Sequence, residues 1–161
     1  MVLTIPVWFG SCKNDDDPGT PTTPAIEGSW KVSGYKIDPA VDRFETGQKS
    51  NDLLAAYKQA LPNGTNIVDC FTSKVLTLSN DGKLTTTAGS KCTVQTDIFP
   101  IANNSTWKAD GNKVTVTNGN NVTTYDTSIS GNNLKMSYPA SQDFDGDGKQ
   151  ETYTYTIELT K

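Results

Sequence analysis

The strongest constraint on this chain is its punctuation. Asx-Gly or Ser-Gly steps recur at Asn80-Asp81-Gly82, Asp110-Gly111-Asn112, Asn118-Gly119 and Ser130-Gly131-Asn132, and each divides two stretches in which apolar and polar residues alternate. A glycine after Asn or Asp supplies the positive φ of a tight hairpin. Period-two alternation marks a strand with one buried face. The spacing therefore predicts strands over 73–79 and 83–87, 105–109 and 113–117, then 122–129 and 134–138. A first strand over 29–37 precedes them, with Gly34 placed to host a bulge. A last strand over 152–160 sets Tyr153, Tyr155, Ile157 and Leu159 against threonines and Glu158.

Eight sequential strands with short connections suit an up-and-down antiparallel barrel, because closure removes the exposed edges of a flat meander. A two-sheet sandwich is the alternative. In the barrel the interior takes Trp30, Val32, Leu76, Leu78, Leu84, Trp107, Val114, Val116, Leu134, Met136 and the apolar set of the last strand. An eight-stranded lumen is either filled by side chains or holds one small ligand. One short helix is expected between the first two strands: Ser50 caps it, Leu53, Leu54, Tyr57 and Leu61 recur at helical spacing, and Pro62 with Asn63-Gly64 ends it.

At 161 residues the chain suits one domain. Only 34% of residues are apolar and the formal charge is −4. Three of the acids sit together at Asp15, Asp16 and Asp17, so the remainder is close to neutral and has no basic surface with which to follow nucleic acid. The sequence contains no histidine, which removes the commonest general base and zinc ligand. Paired acids such as Asp126 with Glu158 could in principle do glycosidase chemistry, but their strand positions are expected to face outward into solvent. No catalytic residue is expected, and the chain is read as a non-enzyme.

Residues 1–11 (MVLTIPVWFGS) form an apolar run of signal-peptide length, too short to span a bilayer, and lack the basic segment that normally comes first. They are expected to be the end of a signal peptide. Gly10-Ser11 before Cys12 resembles the bacterial lipobox, which makes Cys12 the expected lipid attachment site. Residues 12–25, acidic and rich in Pro, Gly and Thr, are expected to form a disordered tether. Cys12 as a stray thiol is the alternative.

From residue 26 a family resemblance emerges. Ile26-x-Gly28-x-Trp30 resembles the G-x-W start of lipocalins. The stretch from Ser105-Thr106-Trp107 through Lys113-Val114-Thr115-Val116 to Leu134-Lys135-Met136 resembles the lipocalin-like domains of Bacteroidetes lipoproteins. The resemblance covers 26–160, within an expected domain of 26–161. It implies an outer-membrane lipoprotein, at the cell surface or on the periplasmic face, that binds a small hydrophobic or amphipathic ligand. Trp30, Trp107, Tyr125, Tyr138 and Tyr153 are the candidate lining and serve equally well as core. The alternative is a filled barrel that contacts a polysaccharide or partner protein through loops such as 93–104.

Two local sites remain. Cys70 precedes the second strand and Cys92 follows the third, so hairpin geometry brings them to one end of a ribbon and a structural disulfide is expected. In the segment 143–151, Asp143, Asp145 and Asp147 alternate before Gly148, followed by Lys149 and Glu151. This resembles the first half of an EF-type calcium loop, with the three aspartates, the Lys149 carbonyl and Glu151 as ligands. Thr154 stands where such a loop needs its bidentate glutamate, and no helices flank it. A structural Ca2+ clasping the final hairpin is the expected cofactor, and an ordinary solvated turn is the alternative.

Overall fold

The computed structural model describes residues 23–92 and 98–161. A one-turn helix, α1 (Thr23–Ile26), leads into β1 (Gly28–Val41), which is long enough to serve three neighbours in succession. Its first residues pair with β3 (Val75–Leu78), its middle with β9 (Glu151–Thr160) and its far end with the short β2 (Ser50–Asp52). Between β3 and β9 the chain meanders through β4 (Lys83–Thr87), β5 (Ser105–Asp110), β6 (Lys113–Asn118), β7 (Asn121–Ser130) and β8 (Asn133–Gln142). Each strand pairs antiparallel with the next. Because β9 lies back against β1, from Lys31 opposite Thr160 to Asp38 opposite Thr154, the sheet closes. The result is an eight-stranded antiparallel barrel with β2 appended outside.

The hairpins form where the Asx-Gly and Ser-Gly steps fall. Gly111, Gly119 and Gly131 have φ of 57°, 58° and 57°, the left-handed geometry that a side chain resists. Along β1 the register slips between Val32 and Gly34. A Cβ on Gly34 would stand 3.2 Å from that of Glu158, so the bulge needs glycine. Inside, Trp30, Leu76, Leu84, Val114, Leu134, Met136 and Ile157 are buried and belong to one cluster with the remaining predicted interior residues. Outside, hydroxyls pair across strands, as in Thr115 with Thr124 and Ser137 with Thr156.

The expected single helix is in fact two. After α2 (Leu53–Ala60) the chain bends at 61–63 and starts again as α3 (Gly64–Ser73). Pro62 and Asn63-Gly64 end the first helix as their chemistry predicts. The second escapes notice because its sequence, GTNIVDCFTS, is made of weak helix formers. Its tertiary face carries it: Ile67, Cys70 and Phe71, at i, i+3 and i+4, are buried. Asp52, not Ser50, caps α2 by accepting from the Ala55 N–H at 3.1 Å, while the Ser50 hydroxyl accepts from Asp52 N–H.

α1 falls at the end of the expected tether and plugs the barrel end where β1 begins. Ile26 is fully buried, and its carbonyl accepts the Trp30 indole N–H at 2.7 Å. Lys161 lays its ammonium 4.4 Å from the centre of the same ring, sealing that end.

Candidate functional site

At the opposite end, where β1 finishes and β9 begins, the inward positions carry tyrosines. Tyr138 on β8 lies directly opposite Tyr155 on β9, and their rings stack at 5.4 Å. Tyr35 reaches them from β1, its hydroxyl 3.0 Å from that of Tyr138. Tyr125 on β7 meets Tyr138 edge to face at 5.3 Å. Behind Tyr35, Phe71 of α3 stacks at 5.3 Å, so the helical insertion forms the floor and side of this aromatic cluster.

Above the cluster lies a cavity of about 250 Å3, lined by Tyr35, Tyr57, Tyr138, Tyr155, Arg43 and Gln142 among others. The half-buried Arg43 guanidinium is held between the rings of Tyr57 and Phe144, at 5.3 and 5.8 Å. Gln142 accepts the Tyr155 hydroxyl at 3.0 Å. Burial pushes the phenols of Tyr35 and Tyr125 well above the ordinary tyrosine range. It raises Tyr155 as well, against the pull of the Arg43 charge. The phenols at this end are therefore neutral hydroxyls near pH 7, able to donate or accept, beside one fixed cation. Such a surface suits a small molecule with an apolar body and a polar or anionic tip.

The predicted lining residues separate. Trp30 and Trp107 are packed in the barrel, each with its indole N–H on a backbone carbonyl, Ile26 and Ser79 respectively. Tyr138 lines the open-end cavity and Tyr125 supports it. Tyr153 lines a wider groove of about 510 Å3 that also takes in Val41, Asp42, Phe144 and Asp145. Tyr35, Arg43 and Tyr57 were not anticipated. Arg43 carried one signal in the sequence, since it is the only arginine among fourteen basic residues.

Of the expected calcium ligands, Asp143, Asp145 and Glu151 each bring a carboxylate oxygen within 4.8 Å of the others. Asp147 turns to Lys149, accepting from its backbone N–H at 2.8 Å and its ammonium at 3.0 Å. Partial burial opposes ionisation of Asp143, but the backbone N–H groups of Gly148 and Gly146, at 2.9 and 2.7 Å, hold its carboxyl below the usual carboxylate range.

Cys70 and Cys92 are joined as a disulfide with Cα atoms 4.1 Å apart. Cys70 lies ahead of β3 and Cys92 after β4 as expected; Cys70 also sits in the last turn of α3, so the bridge ties that helix to the connection after β4. Asp126 and Glu158 pair with Lys113 and Lys135 on the outer face. The expected presented loop is partly internal: Phe99 and Ile101 are buried, while residues 93–97 lie outside the described residues. So do Cys12 and the expected signal peptide.

A family model described as the lipocalin-like domain matches residues 26–136, more than half of the chain. The chain belongs to this lipocalin-like family. Neither the curated proteins nor the solved structures yielded a match. The matched stretch of the lipocalin-like domain ends within β8, and β9, which closes the barrel, follows it. A lipocalin-like barrel is a ligand-binding kind of fold, in a family that is generally non-catalytic.

Proposed function

We propose that this lipocalin-like chain is a non-catalytic, membrane-tethered lipoprotein that binds a small amphipathic ligand at the open end of its barrel. The observation that carries the reading is the aromatic cavity under Arg43, at the only barrel end that the described residues leave open. Beneath the mouth the lumen is filled by Leu76, Met136 and Ile157, with Trp30 at the closed end, which limits the ligand to the mouth and keeps it small. Protein purified without denaturant and extracted with organic solvent is expected to release a small amphipathic molecule, and Tyr138→Ala to lose it. An empty wild type that also fails to bind added amphiphiles refutes the reading.

Anchoring rests on the sequence around Cys12: a processed, acylated cysteine followed by an acidic tether places the barrel on the outer membrane, as in the Bacteroidetes lipoproteins it resembles. Fatty-acid metabolic labelling that is present in the wild type and lost in Cys12→Ala tests this.

One observation favours a second reading, that of an interaction protein contacting a polysaccharide or a partner protein. The groove beside the acidic loop is lined by the partly buried Phe144 and an edge of the largely buried Tyr153, together with Asp42, Glu45 and Asp145. Glycan binding that Phe144→Ala abolishes, with the ligand cavity empty, supports that reading over the first.

A further inference from the structure

Basic residues on this chain are lysines at every position but one, and the exception is the guanidinium above the tyrosine cavity. Lysines on this chain form surface ion pairs with acids, as Lys36 does with Asp52 and Lys113 with Asp126. Among the described residues Arg43 has no carboxylate partner. Its neighbour Asp42 is occupied elsewhere, accepting from the backbone N–H groups of Thr46 and Gly47. Glu151 points to Tyr153. A half-buried cation held by two ring faces and left without a counter-ion is an unfinished arrangement. Ring faces orient a guanidinium and strip part of its water, while its fork of N–H donors matches a carboxylate.

We propose that the open-end cavity recognises a small monocarboxylate, its carboxylate on Arg43 and its apolar body among Tyr35, Tyr57, Tyr138 and Tyr155. This rests on the ligand-binding reading above and adds the ligand's charge and size. One guanidinium with neutral phenols and one amide balances a single negative charge, which disfavours a dianion. At about 250 Å3 the cavity is below the ~300–1,000 Å3 of typical ligand pockets, so the body is no larger than one ring with a short arm. The Tyr35 and Tyr138 hydroxyls and Gln142 are placed to hydrogen-bond a polar substituent on that body.

The test uses cinnamate and cinnamyl alcohol as probes, titrated calorimetrically against the wild type, Arg43→Lys and Arg43→Met. Melting curves verify that each variant is folded. Cinnamate is expected to bind the wild type at least about tenfold more tightly than the alcohol, as a charge-assisted bidentate pair implies. Arg43→Met is expected to erase the difference, and Arg43→Lys to retain part of it. Equal binding of the two probes to the wild type overturns the carboxylate assignment while leaving the cavity as a binding site. A preference that survives in folded Arg43→Met also overturns it. Failure of both probes to bind overturns the assignment together with the reading on which it rests.

Discussion

Tyr35 shows how a single residue escapes a pattern. Strict alternation from Trp30 and Val32 sends residue 35 to the outer face, but the slip at Gly34 moves the inward phase from even to odd positions, so Tyr35 and Ile37 are buried instead. The sequence marked Gly34 as a bulge, yet a bulge's effect on phase depends on where the partner strand resumes its register. Burial has a pH consequence here. With its folded pKa far above the ordinary 10.0, Tyr35 is held neutral by the fold, and Tyr125 likewise. The fold prefers the protonated form, so this stabilisation is complete below about pH 10 and is lost as pH rises past that value. In an alkaline titration the phenolate absorbance is expected to rise in two stages, the later one coincident with loss of the β circular-dichroism signal. Tyr35→Phe and Tyr125→Phe should each remove amplitude from the later stage alone. Ionisation of all six tyrosines while the barrel stays folded contradicts the buried placement.

At the level of elements, the insertion between β1 and β3 and the acidic loop between β8 and β9 frame the site, and they were legible to different degrees. The stripe of Leu53, Leu54 and Tyr57 announced α2, whereas α3 is held by tertiary contacts of Ile67, Cys70 and Phe71 that no local propensity foretells. The corner between them depends on Gly64, where a Cβ would collide with the Tyr57 carbonyl and come within 2.7 Å of Lys58 Cα. These are backbone atoms and cannot swing away. Gly64→Ala is therefore expected to cost about 1–3 kcal/mol in denaturant unfolding, as overpacking does, although alanine is the better helix former. A neutral or stabilising result means that the corner yields to a methyl group and is not tightly packed. For the acidic loop, the alternation of Asp143, Asp145 and Glu151 in sequence does become convergence in space, while Asp147 is diverted to Lys149. We propose that this hard-oxygen set holds calcium weakly. Millimolar calcium is expected to raise the melting temperature of the wild type and not of Asp145→Ala; a flat wild-type response leaves an ordinary turn.

Over the whole molecule, closure is strongest and weakest at different seams, and this decides how the barrel opens. β9 is paired along its length with β8 on one side and, from Thr154 to Thr160, with β1 on the other, so most of it is engaged on both edges. Between β4 and β5, by contrast, the described register consists of Lys83 with Thr106 and Leu84 with Ser105, because β5 begins at Ser105 and overlaps β4 for those two residues alone. Eight strands were readable from alternation and turn chemistry, but a thin seam was not, because register depends on the long connection that follows β4. The disulfide acts beside this seam: Cys92 follows β4, and its bond to Cys70 ties that connection to α3, whose Phe71 packs against Phe99 at 5.4 Å. Closing a loop over 22 residues is worth about 3 kcal/mol in the chain-entropy account. Local opening follows the least-bonded edge, so amides of β4 and β5 should exchange with deuterium before those of β8 and β9. Reduction of the disulfide should accelerate exchange in β4, in the first turn of β5 and at the C-terminal end of α3, with β9 the last to respond. Uniform acceleration across all strands instead makes the bridge a restraint on the unfolded chain alone, with the barrel opening as one unit.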